Sequence, residues 1–308
     1  MAICEPEIKR FLQEIQPTKT QLNGAMRSHK YLRHVLRSGN FENRIIRSYL
    51  SGSYLRGTAI YPLDDVDIIF EINPGYWKVP IFEKYPEPEV VLKSFHRAIK
   101  ARYVNTPVRL QRRSVGLRLS HLDVDVVPAI PTRERDLLLI PDRSDNIWIP
   151  TGPKVHSDAG FEVNKILNKL FKPIVKLLKY WNSRLPSTTR TKSFTIETIA
   201  IRLFSNVQFE TLQDGLKLYF DFLVFLGDGD SSYAWHTKYG MSVGLLGWLN
   251  VPDVASTGFN VASGMGRDRL RKFIVQAERS LHKMLAAERA VSTSAAWKRV
   301  SEALKIKT

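Results

Sequence analysis

The stretch that decides the fold reads Gly52-Ser53-Tyr54-Leu55-Arg56-Gly57-Thr58 and then Asp64-Asp65-Val66-Asp67-Ile68-Ile69-Phe70. A Gly-Ser turn precedes, by eleven intervening residues, an Asp-x-Asp pair that opens an apolar strand. Side chains alternate faces along a strand, so Asp65 and Asp67 project to one side and Asp64 to the other. Two carboxylates held together repel, and one would ordinarily take up a proton. A hard divalent cation such as Mg²⁺ removes that cost, because it binds carboxylate oxygens. Gly52 lets the backbone approach a ligand with no Cβ in the way. Ser53 offers a hydroxyl and a backbone N–H to phosphate oxygens. Together these residues suit a nucleoside triphosphate and its metals.

Outward from this stretch, residues 5–50 read as helical, with Ile8, Phe11, Leu12, Ile15 and then Tyr31, Leu32, Val35, Leu36 at helical spacing. Val66 to Ile72 reads as a strand stopped by Asn73-Pro74-Gly75, and a Pro-rich loop covers 74–88. Helical spacing returns from Glu89 to Tyr103. A hairpin follows: Ser114–Leu119 runs into a Ser120-His121 turn, and Leu122–Val127 runs back to Pro128. In its second strand Leu122, Val124 and Val126 share the core face, while Asp123, Asp125 and Val127 share the other. Residues 161–183 give the strongest helical pattern, with Pro173 expected to kink or split it. Further helices are expected at about 193–206, 208–226 and 266–306, separated by a Gly/Asp/Ser-rich loop at 227–232 and another near 250–264. Strands therefore gather in the first half and helices in the second. The expected class is α+β, with a mixed lobe over 1–160 and a helical lobe over 161–308.

Three acids on two neighbouring strands, Asp65, Asp67 and Asp125, would complete a two-metal site. Two cations about 3.5–4 Å apart clamp the attacking and leaving oxygens of an in-line displacement. Asp125 is also placed to accept the proton of an incoming sugar hydroxyl. Asp123 is the rival for the third position, and Asp64 is expected to be a bystander.

The rest of the composition narrows the setting. The 308 residues, 44% of them hydrophobic, provide for a real core. No run approaches the roughly 20 apolar residues that span a bilayer, and no basic-then-apolar leader is visible. The reading is of a soluble cytoplasmic protein without membrane attachment. The single cysteine, Cys4, excludes an internal disulfide and argues against a cysteine-based zinc site. A net charge of +16 favours polyanionic partners. Arg97, Lys100, Arg102, Arg109, Arg112, Arg113 and Arg118 form a run with no acid between them, suited to salt-sensitive phosphate contacts. RNA or DNA is accordingly a candidate activator on this basic surface.

Three segments carry a resemblance: Leu50-Ser-Gly-Ser-Tyr-Leu-Arg-Gly-Thr58, Asp123-Val-Asp-Val-Val-Pro-Ala129 and Lys176-Leu-Leu-Lys-Tyr-Trp-Asn182. With Gly52-Ser53…Asp65-x-Asp67 they resemble the DNA polymerase β-like nucleotidyltransferases, and within them the bacterial CD-NTases related to cyclic GMP–AMP synthase. The resemblance runs from about 17 to 300 and is best between 50 and 205. It implies a two-lobed fold with the active site in the cleft. It also implies a Mg²⁺-dependent enzyme, with Mn²⁺ as substitute and two ions per site, that joins ATP, GTP or other NTPs into a cyclic di- or trinucleotide. Such a product is a second messenger in anti-phage defence, and it is the product that binds the downstream effector. A monomer is expected. By the same resemblance Lys179 is similar to the lysine that holds the donor triphosphate. Lys192-Ser193-Phe194-Thr195-Ile196-Glu197 is similar to the next motif, in which Ser193 touches phosphate and Phe194 stacks on a base. The family often has tyrosine at that last place.

Other functions fit parts of the pattern. An enzyme that adds nucleotides to RNA or tRNA ends needs the same acids, as does a toxin that transfers one nucleotide to tRNA or protein. An inactive nucleic-acid-binding module would need none of them, and all are present. Tyr54, Trp148, His156, Tyr233 and His236 are further candidates to line a pocket.

Overall fold

The strand opened by Asp65 has the neighbour that the Asp-x-Asp reading requires. In the computed structural model, which describes residues 4–306 apart from 39, 40, 42, 135, 228–237, 245 and 246, the chain divides into two compact units. One is Pro17–Ser157; the other joins Met1–Gln16 to Asp158–Thr308.

The first elements are helices α1 (Glu5–Glu14) and α2 (Lys19–Arg37), strand β1 (Ile45–Leu50), the short helix α3 (Gly52–Arg56) and strand β2 (Asp65–Ile72). Helix α4 (Pro88–Arg102) follows, then β3 (Val108–Leu110), β4 (Val115–Arg118), β5 (Asp123–Pro131), β6 (Leu138–Asp142) and β7 (Ile147–Thr151). The sheet order is β1-β2-β5-β4-β3, with β6 and β7 continuing from the far end of β5. β2 and β5 run parallel, and the other pairs are antiparallel.

One face of this sheet is its core. Val66, Ile68 and Phe70 of β2 and Val124 and Val126 of β5 pack with Leu32 and Leu36 of α2 and Val91, Phe95 and Ile99 of α4. Phe95 meets Phe70 edge-on at 6.0 Å and Phe41 at 5.1 Å. The start of α2 is set by a capping box: Thr18 Oγ1 accepts from Gln21 N and Gln21 Oε1 accepts from Thr18 N, both at 3.2 Å.

Helical spacing was expected throughout 5–50, but 45–50 is a strand. The α2 pattern ends at Ser38, and Ile45, Ile46 and Tyr49 favour a pleated edge that pairs with β2, Tyr49 opposite Ile69 and Leu50 opposite Ile68. The β6–β7 hairpin was also not expected. Its sign in the sequence is Leu137–Ile140 and Ile147–Ile149 flanking Ser144-Asp145-Asn146, with Asn146 at φ 51.

The second unit holds the rest: α5 (Pro153–Ile166), within which the division between units falls, α6 (Phe171–Ser183), α7 (Ser193–Phe204) and α8 (Leu212–Phe225). A two-stranded ribbon, β8 (Ser242–Val243) with β9 (Leu249–Asn250), precedes α9 (Arg267–Glu288) and α10 (Thr293–Ala303). Trp181 of α6 is fully buried, edge-on to Phe220 and Phe273 at 5.1 and 5.2 Å. Its indole N–H donates to Ser280 Oγ, which donates in turn to Ala303 O. Helix α1 joins this unit: Phe11 stacks edge-on with Tyr180 at 4.9 Å, and Glu5 accepts from the Leu212 amide at the start of α8. The grouping differs from an even cut at 160, because α1 buries its apolar stripe against these helices.

The 161–183 helix is split as expected, though before Pro173. Asn168 and Lys169 adopt positive φ between α5 and α6. Pro173 then sits in the first turn of α6, where its missing N–H costs nothing.

Candidate active site

β2 and β5 lie side by side in parallel register, with Asp65 opposite Asp123 and Asp67 opposite Asp125. Facing residues of adjoining strands project to the same side. All four acids therefore stand on the face that α2 and α4 leave uncovered, beyond a small apolar cluster of Ile69, Ala129 and Leu138. Their charges are felt. Burial first, and then the charges of Asp65 and Asp125, push the Asp67 carboxyl up to about 6, against a smaller pull from Arg56. The Asp125 carboxyl is likewise raised, by burial and then Asp65. Asp64 comes just before β2, and burial and the charges of Asp65 and Asp123 raise its carboxyl too.

The Gly-Ser turn sits over Asp67. Ser51 N donates to Asp67 O at 2.8 Å, continuing the β1–β2 ladder to its end. Gly52 follows at φ +65, and a Cβ there would stand 2.2 Å from Asp67 Oδ2. Only glycine allows both the backbone conformation and the approach of the carboxylate. Ser53 O accepts from Thr58 N and Ala59 N, closing the short α3 turn. Arg56, on the same turn, is a charged neighbour of Asp67; its place in the motif was visible, but not its direction.

Asp123 and Asp125 separate by their partners. Arg118 stands directly across from Asp123 on β4 and bonds it at 3.3 Å. Asp125 faces Gly116.

In the helical unit, Lys179 of α6 is 4% exposed and donates to Glu197 Oε2 at 2.7 Å, with Glu197 equally buried. Glu197 lies one turn into α7, which Ser193 begins; the structure thus brings Lys179 to the 192–197 motif. Ser193 is exposed and Phe194 is 36% exposed. Lys176, a turn before Lys179, is half-buried, and burial, then Lys172 and Lys179, lower its pKa.

Other sequence candidates have structural roles. Tyr54 OH donates to Leu22 O and Trp148 Nε1 to Pro86 O, and His156 is buried. Tyr233 and His236, and most of the 227–232 loop, lie outside the described residues. Part of the basic run is committed locally: Arg112 and Arg113 both grip the buried Asp142, at 2.7 and 3.1 Å, and Lys100 donates to Val104 O and Thr106 O.

Among the described residues, no group of three or more His, Cys, Asp or Glu is drawn together as a ready ligand set. The donors nevertheless fit a hard divalent cation. Asp65, Asp67 and Asp125 supply only carboxylate oxygens, and their mutual repulsion is of the kind such an ion offsets.

A mixed sheet with in-register acids on two parallel strands and a Gly-Ser turn over one of them defines a polymerase β-like nucleotidyltransferase fold. The sequence profile of the Second Messenger Oligonucleotide or Dinucleotide Synthetase (SMODS) domain matches residues 2–164. A cyclic AMP-AMP-AMP synthase from Acinetobacter sp. is 32% identical over 278 residues, covering 87% of this chain and 74% of that protein. A cyclic UMP-AMP synthase from Rhodothermus marinus is 23% identical, over 58% of this chain and 67% of that one. Escherichia coli MS115-1 CdnC, solved with ATP, superposes with a TM-score of 0.74 at 23% identity, covering 96% of this chain and 97% of that one. The same protein solved in a complex with HORMA-deltaN gives 0.75 at 22% identity, over 98% and 97%. The chain belongs to the SMODS family and is a CD-NTase, a nucleotidyltransferase of the cyclic-oligonucleotide-synthesising kind. No helix among the described residues is long and apolar enough to cross a membrane.

Proposed function

We propose that this chain condenses nucleoside triphosphates into a cyclic di- or trinucleotide with release of pyrophosphate, in a Mg²⁺-dependent reaction that serves anti-phage signalling. The observation that carries the reading is the parallel register of β2 and β5, in which Asp65 and Asp67 share a face with Asp125. Asp65, Asp67 and Asp125 would hold the divalent ions. When bound, these supply charge neutralisation at the attacking and leaving oxygens. Gly52 and Ser53 hold phosphate oxygens above Asp67. Asp125 takes the proton of the attacking sugar hydroxyl. In the helical unit, Ser193 contacts phosphate and Phe194 stacks on a base. Lys179 offers its ammonium to the triphosphate as a partner already held by Glu197. ATP is the first substrate to test, since the Acinetobacter relative makes an AMP trimer. The basic residues not committed to acids are candidates to bind an activating RNA or DNA.

The test is pyrophosphate release from the four NTPs with Mg²⁺ or Mn²⁺, comparing wild type with Asp65→Ala/Asp67→Ala. The expected result is release by wild type alone, with a phosphatase-resistant product. Equal trace release by both proteins defeats the enzyme reading. A labelled RNA and no closed ring would turn it toward end addition.

A further inference from the structure

Gln111 and Gly116 lie outside every role assigned so far, and both meet Asp125. The β3–β4 turn begins at Gln111, whose N–H donates to Ser114 O at 2.9 Å. The buried Ser114 hydroxyl donates back to Gln111 Oε1 at 2.6 Å. That bond fixes which end of the Gln111 amide faces where, because its oxygen is taken and its NH₂ must point the other way. On that side lies Asp125: Gln111 Nε2 and Asp125 Oδ1 flank the point where a Cβ of Gly116 would stand. The single hydroxyl proton of Ser114 serves one acceptor, and the short bond commits it to Gln111.

The amide can cross β4 only because residue 116 is glycine. A Cβ there would lie 2.3 Å from Gln111 Nε2 and 3.3 Å from Asp125 Oδ1. The turn itself is anchored from below. Arg112 and Arg113, the two residues after Gln111, both bond the buried Asp142 at the end of β6.

We propose that Gln111 is a positioning residue for the metal site: the Ser114–Gln111–Asp125 relay, seated in the notch at Gly116, holds one Asp125 oxygen so that the other is presented to a divalent cation. This rests on the reading of Asp125 as a metal-holding acid. Partners that orient a ligating carboxylate characteristically change metal affinity about 10–100-fold when removed.

Direct Mn²⁺ binding to the whole protein without nucleotide, with free Mn²⁺ counted by electron paramagnetic resonance, tests this apart from turnover. Gln111→Met keeps the side-chain length and removes the donor. It is expected to weaken Mn²⁺ binding about tenfold while the unfolding midpoint stays near wild type. Gly116→Ala, which pushes the amide aside, is expected to lose a similar factor, and to lose little more when added to Gln111→Ala. Asp125→Asn should lose more than either. If Gln111→Met and Gly116→Ala bind Mn²⁺ as wild type does while Asp125→Asn does not, the relay is overturned and the metal reading stands. If Asp125→Asn also binds as wild type does, both fall together.

Discussion

Asp67 concentrates the chemistry of the site in one carboxyl. It is covered by the Gly52 backbone and neighboured by Asp65 and Asp125, and its pKa is pushed up to about 6, with burial the largest cause. The sign of the consequence follows from proton counting. Between about pH 4, the ordinary carboxylate value, and 6, the native protein binds a proton that the unfolded chain has lost. Stability therefore falls as pH rises through that window, by an amount on the order of 3 kcal/mol once above it. A divalent cation offsets this cost only where Asp67 is ionised. The rise in unfolding midpoint on adding Mg²⁺ should thus be larger at about pH 7.5 than at about pH 5. Asp67→Asn should remove most of that difference and, without metal, melt higher than wild type at the upper pH. Differential scanning calorimetry at the two pH values checks it.

Helices α6 and α7 are joined by the ion pair of Lys179 with Glu197, both less than 5% exposed. Two charges withdrawn from water lean on each other for their lost solvation, so removing one is costly while replacing both is less so. Glu197→Ala is expected to lower stability by roughly 3 kcal/mol, and the double change Lys179→Met/Glu197→Leu by clearly less. Urea denaturation of the two variants measures this. The double variant should still bind donor nucleotide poorly, which separates the ammonium's part in binding from its part in packing. The split of the long helical pattern has a comparable local cause: positive φ at Asn168 and Lys169 turns the chain and lets Pro173 enter α6 where a proline is tolerated.

The net charge of +16 acts over the whole protein, but its phosphate-binding share is smaller than the total suggests. Arg112, Arg113 and Arg118 each hold an acid, while Arg102 and Arg109 are exposed. Counterion release scales with the number of phosphates neutralised. If duplex RNA or DNA binds through the 97–118 run, Arg102→Ala/Arg109→Ala should reduce the slope of log K against log salt by about two, one for each phosphate left without its arginine. Arg112→Ala/Arg113→Ala should change the slope less and the unfolding midpoint more. Fluorescence anisotropy across a salt series, beside a melting curve, distinguishes them. No binding by wild type at low salt ends the activator idea.

By itself the sequence determined what depends on local periodicity and on spacing within one strand. Asp65 and Asp67 had to share a face, as did Asp123 and Asp125, because the side-chain period of a strand is two. The prolines and the apolar stripes likewise marked most helices, and the Ser120-His121 turn and Pro128 marked the β4–β5 hairpin. What only the tertiary structure decided are the pairings between distant segments. These are the parallel register that sets β2 beside β5, the conversion of 45–50 into an edge strand, and the β6–β7 hairpin. They also include the burial of Lys179 against Glu197 and the partners met by the two β5 acids, Arg118 across from Asp123 and Gly116 across from Asp125. Periodicity says which way a side chain points. Which partner it meets is set by packing across the chain, where burial and neighbouring charge decide each group's role.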